Sequence, residues 1–161
     1  MSRRAYIGLG SNLDDPAQQL RRALQALAQL PETQLLAQSR LYRTPPWGML
    51  EQPDFVNAVA ELETGLTPRQ LLDALLRIEH AAGRVRAHER WGPRVLDLDL
   101  LHMDGIQQHD ASLSLPHPRI AERAFVLLPL AELAPALHLP GQGVVATLLT
   151  AVDHAGCVIL A

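Results

Sequence analysis

This chain of 161 residues is expected to form an α+β domain around one antiparallel sheet. Two stretches with apolar residues at helical spacing each open on a proline, at Pro16 and Pro68. Strand-like runs lie around them in the order strand, helix, strand, strand, helix, strand.

Ala5 to Gly10 reads as a short apolar strand. The first helix follows from Pro16, with Leu20, Leu24 and Leu27 on one stripe, and ends near Pro31. Gln34 to Tyr42 reads as the second strand, and Arg43 to Pro53 as a loop. Phe55 to Glu63 is a third strand with clear alternation, placing Val56, Ala58, Ala60 and Leu62 on one face and Phe55, Asn57, Val59 and Glu61 on the other. Thr67 as N-cap starts a second helix whose buried stripe is Leu71, Leu75, Ile78 and Ala82 and whose stop is Gly83. A fourth strand carries Asp97 and Asp99. This order predicts a ferredoxin-like βαββαβ core. Past Met103, Asp104-Gly105 predicts a turn, Ala124 to Leu133 a helix despite Pro129, and Val144 to Val152 another. These later elements are expected to cover the second face of the sheet, giving helices on both faces. No repeat or linker interrupts the chain, so residues 1–161 are expected to form a single domain.

Composition narrows the function. Hydrophobic residues make up 48% and charged residues 19%, and no apolar run approaches a membrane span, so no membrane partner is expected. The N-terminus lacks a secretory pattern and Cys157 is the single cysteine, which predicts a cytoplasmic protein without disulfides or structural zinc. A net charge of −3 argues against a nucleic-acid partner. All 14 basic residues are arginine, which rules out a Walker-type phosphate loop with its essential lysine. A monomer is expected.

The chemistry concentrates in Gly83 to Leu101, GRVRAHERWGPRVLDLDLL, where Arg84, Arg86, Arg90 and Arg94 lead into the acidic strand. Arginine's planar fork matches phosphate oxygens, and paired carboxylates suit a Mg²⁺ ion bridging those phosphates. Asp97 and Asp99 share a strand face about 6 to 7 Å apart along the chain, with Leu96, Leu98 and Leu100 opposite. The segment therefore points to a polyphosphate nucleotide. The plainer alternative is a solvated strand edge with the acids paired to Arg94 or Arg86.

The run RWGPRVLDLDLL, with LYRTPPWG at Leu41 to Gly48 and LPHPR at Leu115 to Arg119, closely resembles the 6-hydroxymethyl-7,8-dihydropterin pyrophosphokinases of folate biosynthesis. The resemblance extends from AYIGLGSN at Ala5 to ELAP at Glu132 to Pro135. It implies transfer of pyrophosphate from ATP, as co-substrate, to a pterin alcohol, with release of AMP. It further implies that Asp97 and Asp99 hold two Mg²⁺ ions, and that Arg84, Arg94 and Arg123 surround the ATP phosphates. Arg84 and Arg94 would act with the acids in catalysis. Glu79, Leu100 and His117 would also contact the nucleotide, and Arg86, Arg90 and Trp91 would belong to a loop closing on it. Phe55 and Phe125 would sandwich the pterin, Asn57 would read its edge, and Thr44, Pro45, Pro46 and Trp47 would line the pocket.

Each assignment has a structural counterpart. Arg86 and Arg90 also fit a solvated loop, Trp91 a surface plug, Phe55 and Phe125 a core pair, and Glu79 an ion pair with Arg86. As aligned to the family, Leu76, Ala87, Ser112 and Pro118 stand where polar, basic or tyrosine residues are frequent, all on the nucleotide side. Two other functions fit the same segments. One is a noncatalytic ferredoxin-like binding module, though an RNA reader would show aromatics on a basic sheet face where this chain has acids. The other is a Mg²⁺-dependent transferase with a different acceptor.

Overall fold

The computed structural model describes residues 2–46, 51–83 and 95–160. Strand β1 (Arg3–Ser11) is followed by helix α1 (Pro16–Ala28), whose N-cap Asp15 accepts from the Gln18 N–H. Strands β2 (Thr33–Gln38), β3 (Tyr42–Thr44) and β4 (Phe55–Thr64) come next, then helix α2 (Pro68–Ala81) and strand β5 (Asp97–Met103). A full capping box opens α2: Thr67 accepts from the Gln70 N–H and the Gln70 side chain accepts from the Thr67 N–H.

All pairings in the main sheet are antiparallel, in the order β5, β1, β4, with β2 and β3 sharing the outer edge of β4. This is the ferredoxin-like α+β arrangement. Helices α1 and α2 cover one face, burying Ala5, Ile7 and Leu9 of β1, Val56, Ala58, Ala60 and Leu62 of β4, and Leu98 and Leu100 of β5.

The second strand differs from expectation. Gln34 to Tyr42 is not continuous, because β2 ends at Gln38 opposite Ala60 while β3 begins at Tyr42 opposite Asn57. Four steps on one chain face three on the other, so the chain must bulge. Ser39 makes the break: its N–H donates to the Val59 carbonyl at 2.9 Å, and its hydroxyl accepts the Val59 N–H at 2.9 Å in place of a backbone carbonyl. Arg43 and Thr44, expected in a loop, belong to β3. On α2 the buried positions are Leu71, Ala74, Leu75 and Glu79, whereas Ile78 and Ala82 are only partly buried.

The second face is covered by the C-terminal third. After the small β-ladder of β6 (Gln108–His109) and β7 (Ser114–Leu115) and a 3₁₀ turn at Ile120–Glu122 come helix α3 (Ala124–Leu133), strands β8 (His138–Leu139) and β9 (Gly143–Val144), and helix α4 (Val145–Thr150). Val126, Leu127, Leu130, Leu139 and Val145 pack with Tyr6, Val59 and Leu101 of the sheet. Pro129 sits inside α3, and α4 ends at Thr150 rather than Val152. Glu132 tethers α3 to the sheet edge by accepting from the Tyr42 hydroxyl and the Arg40 N–H, and the Tyr42 hydroxyl is pushed up to about 12 by burial and by that carboxylate. Strand β10 (Val158–Ile159) adds a last pairing to β3.

Candidate functional site

Asp97 and Asp99 lie on the face that α3 and α4 cover only in part, because their neighbours Leu98 and Leu100 occupy the opposite core. Register supplies their surroundings. Asp97 faces Gly10, which on its other side faces Asn57, while Asp99 faces Gly8, which faces Val59. One row thus runs acid, glycine, amide across three strands, spanning about 10 Å from Asp97 to Asn57 at the usual strand spacing. The glycines make a floor without side chains. A Cβ on Gly10 would stand 2.6 Å from Asn57 Oδ1, and one on Gly8 would meet the Leu101 side chain at 3.4 Å.

On the amide side, Asn57 and Thr44 are buried and joined by a bond from Asn57 Nδ2 to Thr44 Oγ1 of 2.7 Å. Phe55, half-buried, shares this strand face, and Phe125 enters from the first turn of α3. Pro46 is half-buried and Pro45 exposed, with the Pro45 ring close to Gly156. Asn12, buried just past β1, donates from Nδ2 to Gln52 Oε1 at 2.8 Å and to the Pro53 carbonyl at 3.0 Å, tying the loop before β4 to this corner.

On the acid side, the guanidinium of Arg123 lies 5.7 Å from the Phe125 ring centre. Burial lowers its pKa, the carboxylates of Asp99 and Asp97 oppose that shift, and Arg119 reinforces it. Arginine remains charged regardless. Its Nε is buried without a hydrogen-bond partner among the described residues. His117 follows the cis Leu115–Pro116 bond, and its N–H donates to the Leu101 carbonyl at 2.8 Å. Its imidazole is held down to about 4, first by burial and then by the Arg123 cation, with Asp97 opposing and Arg119 adding to the shift. The ring is therefore neutral at neutral pH.

Glu79 comes from the far side of the sheet. It is 2% exposed, and its Oε2 accepts the Leu98 N–H at 2.7 Å, which secures β5 between the two acids. The Leu100 side chain packs in the α1–α2 core, on the face away from the acids. Trp47, Arg84, Arg86, Ala87, Arg90, Trp91 and Arg94 lie outside the described residues. Ser112 bonds to Asp110 and Arg69.

The donor set suits magnesium. Two hard carboxylates on one face, beside a half-buried arginine whose Nε–H has no partner among the described residues, match an ion carried in by an anionic ligand that supplies the other oxygens. Among the described residues there is no group of three or more His, Cys, Asp and Glu side chains that would enclose a metal by itself, and this mode of binding needs none. No local sequence pattern joins the glycine floor, Asn12 and the Asn57–Thr44 bond into one unit. The alternating GLGS at Gly8 to Ser11, glycines two apart on one strand face, was the available signal.

A family model described as 7,8-dihydro-6-hydroxymethylpterin-pyrophosphokinase matches residues 6–135. The 2-amino-4-hydroxy-6-hydroxymethyldihydropteridine pyrophosphokinase of Methylorubrum extorquens is 52% identical over 141 residues, 88% of this chain and 89% of that protein. The protein of the same name from Pseudomonas aeruginosa is 51% identical over 157 residues, 97% of this chain and 96% of its own. Among solved structures, wild-type Plasmodium falciparum HPPK-DHPS with pteroate superposes with a TM-score of 0.73 at 14% identity, covering 94% of this chain and 42% of that one. At that identity the likeness speaks for the fold.

Proposed function

The chain belongs to the 7,8-dihydro-6-hydroxymethylpterin-pyrophosphokinase family, and from that premise we propose which of its residues carry the transfer. It moves pyrophosphate from ATP to 6-hydroxymethyl-7,8-dihydropterin, giving AMP and the pterin diphosphate, in folate biosynthesis.

Asp97 and Asp99 would hold Mg²⁺, two ions in our reading, against the phosphate chain. When bound, the metal withdraws charge from the phosphate oxygens and favours attack at the β-phosphorus. Arg123, half-buried near both acids, offers the Nε–H that is unpaired among the described residues to the same oxygens. His117 contacts the nucleotide as a neutral ring. Arg84 and Arg94 share the catalytic charge neutralisation, and Arg86, Arg90 and Trp91 contact ATP from the segment leading into β5. Glu79 serves the nucleotide site by holding β5, and any contact from Leu100 would come through its backbone. The pterin would lie across the glycine floor between Phe55 and Phe125, its edge on Asn57 and its rim along Thr44, Pro45, Pro46 and Trp47. That pose aims the hydroxymethyl oxygen along the row from Asn57 toward Asp97. Alignment and charge stabilisation suffice for such a transfer, so no dedicated base is required. We also propose that residues 1–161 act as one domain, monomeric and cytoplasmic. Among the described residues no helix is long and apolar enough to cross a membrane.

The observation that carries this reading is the row from Asp97 through Gly10 to Asn57. Its test is turnover of Asp97→Ala and Asp99→Ala with Mg²⁺, ATP and the pterin alcohol, following AMP. Both variants should lose activity while keeping the wild-type circular dichroism spectrum. Near wild-type rates in both would remove the acids from the mechanism.

A further inference from the structure

The β8–β9 hairpin sends one side chain to the backbone of the nucleotide side. Gln142 lies in its turn between Gly141 and Gly143, whose φ angles of 79° and 132° suit glycine and strain other residues. The Gln142 N–H closes the turn on the Leu139 carbonyl at 2.9 Å. Leu139 and Val145, at 0% exposure, root the hairpin in the core that also holds Leu101 and Ile120. The base is rigid.

From that base the Gln142 carboxamide bridges two points of one short segment. Nε2 donates to the His117 carbonyl at 2.9 Å, and Oε1 accepts the Ala121 N–H at 3.2 Å. Inside the bridged span, the Arg119 N–H donates to His117 Nδ1 at 3.2 Å. A backbone amide can only donate, so Nδ1 presents its lone pair and the neutral ring carries its proton on Nε2. Arg123 lies two residues past Ala121, its N–H bonded to the Ile120 carbonyl at 3.1 Å.

Resting on the reading that His117 meets the nucleotide, we propose that Gln142 is a positioning residue for ATP. It clamps the His117–Ala121 turn, so that Arg119 sets the imidazole tautomer and Nε2–H stands ready to donate to an anionic oxygen. The side chain must both donate and accept. Glutamate keeps only the acceptor for Ala121, and leucine keeps neither.

The test compares full-length Gln142→Leu, Gln142→Glu and His117→Ala with the wild type. Gln142→Leu should raise KM for ATP roughly 5- to 30-fold, the effect of losing neutral hydrogen bonds, and leave kcat and the pterin KM near their wild-type values. Gln142→Glu should fall between. In ¹⁵N-histidine NMR, wild-type His117 should show a protonated Nε2 and a bare Nδ1, and Gln142→Leu should move both signals toward tautomer averaging. An unchanged ATP KM and unchanged His117 signals in Gln142→Leu, while His117→Ala raises KM, would overturn the clamp and spare the reading of the site. Equal losses for both substrates with a lowered melting temperature would reduce Gln142 to a structural residue. If His117→Ala leaves the ATP KM unchanged, the site reading fails and the clamp with it.

Discussion

Asn57 donates through Nδ2 to the hydroxyl of Thr44 at 2.7 Å, which turns its Oδ1 toward Gly10 and the acids beyond. The pair fixes the amide's orientation before any ligand arrives. Thr44→Val keeps the shape, removes the acceptor and leaves a buried N–H unpaired, at a cost of about 1 to 3 kcal/mol. The pterin KM should rise roughly 5- to 100-fold while the ATP KM holds. Steady-state kinetics on each substrate checks this, and an unchanged pterin KM would mean the amide needs no partner.

Gly10 and Gly8 should respond differently to the same methyl group. Gly10→Ala would place a carbon 2.6 Å from Asn57 Oδ1, within contact distance, so the amide must move and pterin binding should weaken at least tenfold. Gly8→Ala would only touch the flexible end of Leu101 at 3.4 Å and should bind pterin nearly as the wild type does. Calorimetric titration of the pterin alcohol into each variant separates the two. Equal affinities would refute the close-approach account.

Glu79 holds β5 in place through the Leu98 N–H. Glu79→Gln retains an acceptor and should keep most of the stability, whereas Glu79→Ala orphans that buried N–H at a cost of about 1 to 3 kcal/mol. Urea unfolding measures the difference, and the Ala variant should also need more Mg²⁺ for half-maximal rate, because the acids flank Leu98. A Mg²⁺ requirement that does not move would confine Glu79 to folding.

Stability should depend on pH through His102. It is 4% exposed, stacked on Tyr6 with ring centres 6.4 Å apart, and burial lowers its pKa although Asp104 opposes the shift. The unfolded chain, near 6.5, takes up the proton first as pH falls. Stability present above that value is therefore lost on acidification, by up to about 1.4 kcal/mol per pH unit for the one proton. His117, lowered to about 4, adds a loss of the same sign. His102→Phe should flatten but not abolish the slope of unfolding free energy between pH 7.5 and 5. A slope as steep as the wild type's would show that His102 is protonated in the folded chain.

The sequence alone determined the elements whose signals are local. Alternation separated the two faces of β4, the proline-opened stripes located α1 and α2, and Ala124 to Leu133 proved helical around Pro129. Asp97 and Asp99 were placed on one face by strand period, and the motifs around them identified the family. Contacts between distant segments decided the rest. The break at Ser39 depends on a hydroxyl meeting the Val59 N–H, which exists as a partner only once β4 is alongside. Glu79 occupies a position that a polar residue usually keeps in water, and it is buried because β5 presents the Leu98 N–H to it. The Asp97–Gly10–Asn57 row joins three strands whose members are 40 or more residues apart, and the Gln142 bridge spans 25 residues to His117. Hydrophobic periodicity reports which face a residue takes. Strand register and side-chain bonds between remote segments are selected only when those segments pack together, because only then do the backbone groups that need partners lose water and find them.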